Sequence, residues 1–224
     1  SKKIYESLKS IGPTYSWHAS KNIAIILSHT SGKEFSTSNL EKEFHLLPSH
    51  NYEHYYELGN FYKDNEYFKE SIKYYTLALK EIKKDHTLVS TIFYRRGTGF
   101  ERIGDWEKAE KDLLQSLKLK PDQPHVLNYL AYSWLERNYK INSAIDMLEK
   151  AYAQRENDPY IIDSVGWAYY LTGDYRALEV AKLTGDTYLK RISCSNSVYK
   201  AFKEKKLKKD SLKSSWFISS NAVC

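Results

Sequence analysis

A chain of 224 residues with 42% hydrophobic and 28% charged side chains has the composition of a soluble fold with room for one or two domains. Its longest apolar run, Ile23 to Leu27, is far below the roughly 18 residues of a membrane-spanning helix, so no span is expected in this chain. The net charge of +6 is concentrated at one end: from Val198 onward seven lysines face Glu204 and Asp210, and residues 1–197 carry only +1, so no nucleic-acid surface is favoured.

The chain opens on Ser1-Lys2-Lys3 and goes straight into a helical pattern. Ile4, Tyr5 and Leu8 before Gly12-Pro13 read as the second helix of a preceding unit (residues 1–12) whose first helix is missing. From there a small residue recurs inside each helical stretch: Ala24, Gly59, Gly97, Ala131 and Gly166, spaced by 35, 38, 34 and 35 residues. Two helix backbones approach closely only where a side chain is Gly, Ala or Ser, so the series marks a repeated helix crossing.

Around these anchors the pattern repeats. A large apolar residue follows three positions later (Leu27, Tyr62, Phe100, Trp134, Tyr169), and another precedes by four (Tyr55, Phe93, Leu127, Ile162), with Ser20 in that place in the first unit. A second small residue eleven to thirteen positions on (Ser71, Ala109, Ala144, Ala177) starts a second helix. Within it Tyr75 with Ala78, Leu113 with Ser116 and Leu148 with Ala151 place a large and a small residue on one face. Gly104-Asp105-Trp106 and Gly173-Asp174-Tyr175 can end one helix and cap the next. All five prolines, Pro13, Pro48, Pro121, Pro124 and Pro159, fall at unit boundaries, where a helix tolerates them.

The stretch from Phe93-Tyr94-Arg95-Arg96-Gly97 through Gly104-Asp105-Trp106-Glu107-Lys108-Ala109-Glu110 to Pro121-Asp122 resembles a tetratricopeptide repeat (TPR). Its continuation through Val126–Leu135 and Tyr160–Trp167 is similar to TPR proteins of alphaproteobacterial type. The resemblance is strong over residues 52–175. It implies an all-α fold, a right-handed superhelical solenoid of antiparallel helix pairs. The units run over 14–48 (a degenerate repeat), 50–86, 87–121, 123–157 and 159–190, the last with an irregular second helix, and 191–224 form a lysine-rich helical or irregular tail. Cys194 and Cys224, in that tail, make neither a disulfide framework nor a zinc spacing and read as free thiols.

In such an array first helices line the concave wall, and positions three before, one after and four after each anchor project into it. Here these are Tyr56, Asn60 and Lys63; Tyr94, Thr98 and Glu101, with Arg102 beside it; Asn128, Tyr132 and Leu135; and Asp163, Trp167 and Tyr170. Arg95 and Tyr129 precede their anchors by two. Rings supply contact area while Asn and Arg bond carbonyls or carboxylates, so the lining suits a peptide or helix of a partner protein; the same rings could instead pack between repeats. The carboxylate clamp of chaperone-binding TPR domains is not reproduced, because Tyr56 and Thr91 stand where clamp lysines are expected and only Asn60 matches in type.

Catalysis is not indicated. Gly97-Thr98-Gly99 lacks the Lys-Ser/Thr of a nucleotide loop and sits on a first helix, and His50 with His54 lack further metal ligands and read as solvated side chains at a helix start. The expectation is a non-enzymatic scaffold without cofactor or metal. Self-assembly through terminal helices, an accessory role beside an upstream catalytic domain, and contact of the basic tail with nucleic acid or lipid remain alternatives. A bacterial origin follows from the resemblance, with the compartment, cytoplasmic or exported, left open.

Overall fold

The computed structural model describes residues 12–172, together with Lys3, Glu6 and Ser7. The second half of the last expected hairpin, the turn at Gly173, the lysine-rich tail and both cysteines lie outside these residues. Residues 12–172 form nine helices: α1 (Pro13–Thr30), α2 (Lys33–His45), α3 (Tyr52–Asp64), α4 (Phe68–Glu81), α5 (Leu88–Arg102), α6 (Trp106–Leu119), α7 (Pro124–Glu136), α8 (Ile141–Gln154) and α9 (Pro159–Thr172). No strand occurs among them, and no helix is long and apolar enough to cross a membrane.

The chain divides into two compact units, Ser1–Pro121 and Asp122–Cys224. In the first, α1 packs on α2, α3 on α4, α4 on α5 and α5 on α6; in the second, α7 packs on α8, α8 on α9, and α7 also meets α9. Helices α1 with α2, α3 with α4, α5 with α6, and α7 with α8 pair as hairpins. Their starts follow local chemistry. Proline occupies the first turn of α1 and α7 and opens α9, where its missing N–H costs nothing. Asn51 caps α3 by accepting from the His54 amide, while the His54 ring accepts from the Asn51 amide. Asp105 caps α6 through the Lys108 amide.

Three first helices stop in the same way. Glu66, Gly104 and Asn138 adopt left-handed backbone with φ of 68°, 84° and 52°. The amide after each reaches back across the last turn: Tyr67 to the Tyr62 carbonyl, Asp105 to Phe100, and Tyr139 to Trp134, each at 2.9 Å. All three residues lie seven positions after an anchor, so the turn is part of the repeat.

The anchors sit at the crossings. A Cβ built on Gly59 would stand 2.8 Å from the ring of Tyr75, which is fully buried, and one on Gly97 would meet Leu113 at 3.1 Å and the Ala109 carbonyl at 3.2 Å. Ala24 and Ala131 are fully buried, as are the partner small residues Ser71, Ala109 and Ala144. The first unit keeps this crossing. Ser36, twelve residues after Ala24, is fully buried and donates its hydroxyl to the Ala24 carbonyl, and Ser20, the polar residue in the apolar stripe, donates to Glu43 at 3.0 Å.

The first unit's core runs through Trp17, Leu40, Phe44, Leu58, Phe61, Tyr62 and Tyr74, then through Tyr75, Ala78, Val89 and Ile92. Many of the chain's rings are therefore packing elements with hydroxyl bonds: Tyr62 donates to Glu41, and in the second unit Tyr169 donates to Glu149 at 2.7 Å. Arg96 of α5 grips the buried Asp112 of α6 with two bonds of 2.7 and 2.9 Å and reaches Thr76 of α4 at 3.1 Å, joining three helices.

Two glycine substitutions separate these constraints. Gly59→Ala should destabilise the protein by about 1–2 kcal/mol in urea unfolding, because displacing the Tyr75 ring outweighs the roughly 1 kcal/mol gained in helix propensity. Gly104→Ala, with nothing within 4 Å of the added carbon, should cost about 1 kcal/mol through backbone conformation alone. Equal stability of both variants and wild type would remove the crossing and the left-handed turn as determinants of the fold.

Candidate functional site

In the first unit the side chains expected to face a groove are organised by the crossing itself. Tyr75, pressed against Gly59, donates its hydroxyl to Asn60 Oδ1 at 2.8 Å, and Arg95 of α5 donates Nη1 to the same oxygen at 3.0 Å. With Oδ1 accepting twice, the Asn60 amide is fixed with Nδ2 as its remaining polar atom, a donor. The Arg95 guanidinium lies over the Tyr56 ring, 5.6 Å from its centroid. Burial raises the phenol of Tyr75, against the opposing pull of Arg95, and raises that of Tyr94 in the same way. Both rings stay neutral at physiological pH.

Beside this network a cleft of about 940 Å³ opens between α1 and α3. Tyr56 and Asn60 line it from α3; Lys21, Ile25 and Ser28 line it from α1. These last three occupy the same offsets from Ala24 that Tyr56, Asn60 and Lys63 occupy from Gly59. The signal was present in the sequence, and the polar Ser20 obscured it. Glu57, which also lines the cleft, accepts from the Trp17 indole at 2.5 Å and forms an ion pair with Lys21, so α1 is tied to α3 across the cleft floor.

The remaining expected residues of this unit serve local roles. Lys63 pairs with its neighbour Asp64 at 2.8 Å, Thr98 donates to the Arg95 carbonyl at 2.8 Å, and Arg102 lies over Phe68. Gly97 and Gly99 are crossing points on α5; a Cβ built on the latter would stand 3.0 Å from the Ile72 side chain. His54 differs from the expected solvated side chain: it is half-buried, caps α3, and meets Trp17 edge-on at 5.7 Å. Burial lowers its affinity for a proton, partly offset by Glu57. No group of three or more His, Cys, Asp or Glu that could hold a metal occurs among the described residues.

In the second unit Asn128, Tyr129 and Tyr132 are half-buried on α7, and on α9 Asp163 is half-buried while Trp167 is only 2% exposed. The side chain of Tyr170 lies outside the described residues. Asn128 Oδ1 is buried without a hydrogen bond. Burial pushes the carboxyl of Asp163 up to about 7 from its ordinary 3.8.

The paired helices, the small residues at their crossings and the repeated left-handed turn define the class of fold: a helical solenoid of tetratricopeptide-repeat type. It is similar to a TPR repeat-containing protein of Pseudomonas aeruginosa, 31% identical over 96 residues, which are 43% of this chain and 16% of that protein, so the chain spans about a sixth of that relative's length. Among solved structures it is similar to pilF of Pseudomonas aeruginosa (TM-score 0.66, 15% identity, 85% of this chain and 82% of that one). A second likeness is to YrrB, described as a TPR protein with an unusual peptide-binding site (TM-score 0.55, 20% identity, 75% and 84%). A third is to MamA of Desulfovibrio magneticus RS-1 (TM-score 0.62, 15% identity, 78% and 96%). These likenesses establish the fold. No family model matches the chain.

The Asp163 carboxyl gives a signed pH dependence. Between about 4 and 7 the unfolded chain releases a proton that the folded chain keeps, so Asp163 contributes most to stability below pH 4, and that contribution is lost as pH rises towards 7. Asp163→Asn should therefore stabilise the protein at pH 8 by on the order of 3 kcal/mol and flatten the slope of stability between pH 4 and 7. Urea unfolding across that range checks it; an unchanged slope in the variant would place the Asp163 side chain in water.

Proposed function

We propose that the chain is a protein-interaction scaffold that takes an extended or helical peptide of a partner protein on the face formed by its first helices. The observation that carries this reading is the Tyr75–Asn60–Arg95–Tyr56 network at the edge of the cleft between α1 and α3. Among the described residues only one of the five N–H donors of Arg95 is engaged, and Asn60 presents its Nδ2. A peptide main chain is rich in carbonyl acceptors, and donors held rigidly in advance bind it with little ordering cost. The ring of Tyr56 and the aliphatic Ile25 supply apolar contact beside those donors.

The other groove residues expected from the sequence, Tyr94, Thr98 and Arg102 in the first unit and Asn128, Tyr129, Tyr132, Asp163, Trp167 and Tyr170 in the second, belong to the same proposal as first-helix positions. Support for a peptide ligand also comes from YrrB, whose description names a peptide-binding site, and from the TPR class, whose members are typically interaction scaffolds rather than enzymes.

Display selection of random twelve-residue peptides against the intact chain supplies a ligand, and Arg95→Ala is then measured by calorimetry. Loss of charge-assisted bonds should weaken the selected peptide by about 10- to 100-fold, with helical circular dichroism retained. Equal affinity in wild type and variant would remove the Asn60–Arg95 edge from the binding face.

A further inference from the structure

Histidine rings in the first unit divide by what their nitrogens meet. His45 Nδ1 lies 2.7 Å from the Glu41 carbonyl and His50 Nε2 lies 2.9 Å from the Phe44 carbonyl, so each must donate, which a neutral or a charged ring can do. His54 and His86 meet amides instead. His54 Nδ1 accepts from the Asn51 N–H at 3.3 Å, and His86 Nδ1 accepts from the Leu88 N–H at 3.1 Å. A nitrogen that accepts carries no proton, so both bonds exist only while the ring is neutral.

The two rings hold the starts of successive first helices. Asn51 is the cap of α3, and Leu88 is the first residue of α5. A chain of hydrogen bonds joins these starts: His86 Nε2 donates to the Tyr52 hydroxyl at 3.2 Å, and that hydroxyl donates to Glu53 at 3.1 Å. Asn51, Glu53, His54 and Leu88 all line the cleft that Tyr56 and Asn60 border further along α3. A charged ring there would lose its amide and set a positive charge beside the positive end of a helix, two penalties of the same sign.

His54 faces His18 of α1, His50 of the connection between α2 and α3, and Glu53 and Glu57 of α3. His86 faces Tyr52 of α3, with Glu53 behind that hydroxyl, and follows Lys83, Lys84 and Asp85 in its own connection. Burial lowers the His54 ring below its ordinary 6.5; Glu57 and Glu53 oppose this, and His50 and His18 add to it. The folded chain thus binds this proton less readily than the unfolded chain. Stability that His54 contributes above 6.5 is therefore lost as pH falls.

We propose that His54 and His86 form an acid-sensitive latch: as neutral rings they fix the starts of α3 and α5 at one end of the cleft, and protonation of both loosens those starts and weakens the binding of a peptide there. The effect on binding rests on the peptide-scaffold reading, whereas the latch itself does not.

Two substitutions keep the acceptors and remove the protons. Gln at the third position of a helix completes a capping box, and Asn accepts from the amide two residues on, so His54→Gln with His86→Asn preserves both bonds at every pH. His54→Leu with His86→Leu removes them. Hydrogen exchange read by mass spectrometry on the intact chain, corrected for its intrinsic pH dependence, gives the protection of α3 and α5 at pH 7.5 and pH 5. Wild type should lose protection in both helices by about fivefold or more at pH 5. Helix α6 should not change, because a bond from Lys108 holds its cap Asp105 below the ordinary carboxylate range. The Gln/Asn variant should keep its protection at pH 5, and the Leu variant should show the loss already at pH 7.5. Equal protection of wild type at the two pH values, an equal loss in the Gln/Asn variant, or full protection in the Leu variant at pH 7.5 would each overturn the latch. With the twelve-residue peptide from display selection, calorimetry should show wild-type affinity falling by about threefold or more between pH 7.5 and pH 5, and a level affinity in the Gln/Asn variant. Level affinity in wild type would overturn the coupling of latch to cleft. Failure to select any peptide would remove the scaffold reading and leave the exchange data to decide the latch.

Discussion

The close crossing of the two helices in each hairpin is the constraint on which the rest depends. At Gly59 the backbone approaches the Tyr75 ring so nearly that a single methyl carbon would stand 2.8 Å from it. The contact places a large flat side chain across the hairpin with its hydroxyl emerging at Asn60, 2.8 Å away, and Asn60 in turn orients Arg95 from the next first helix. Packing, not a dedicated binding loop, thus sets the direction of the polar groups. Rigid placement matters because side chains already ordered in the free protein lose little entropy on binding.

Much of this was legible because it is written in residue size and spacing. Small residues about one repeat apart located the crossings, and the prolines located three helix starts, since both signals reflect hard steric limits. What escaped was chemistry that several residue types can perform. Ser36 and Glu43 support the first hairpin where other units use a different set, so Lys21, Ile25 and Ser28 were not projected onto the cleft. Glu66 and Asn138 adopt the left-handed turn that only Gly104 announces, because the bonds of the helix end override their backbone preference. His54 carries no sequence mark as a cap, since its role lies in a ring nitrogen meeting one amide.

The tyrosines show a similar limit. Composition says that rings are abundant and spacing says which helix face they share, but neither decides whether a ring fills a crossing or lines a wall. Tyr75 is fully buried and Tyr62 and Tyr74 nearly so, with rings of the latter two stacked 5.4 Å apart, whereas Tyr56 borders the cleft. The difference comes from the neighbouring helix: a ring opposite glycine sinks inward, and a ring opposite an arginine stays at the surface as its platform.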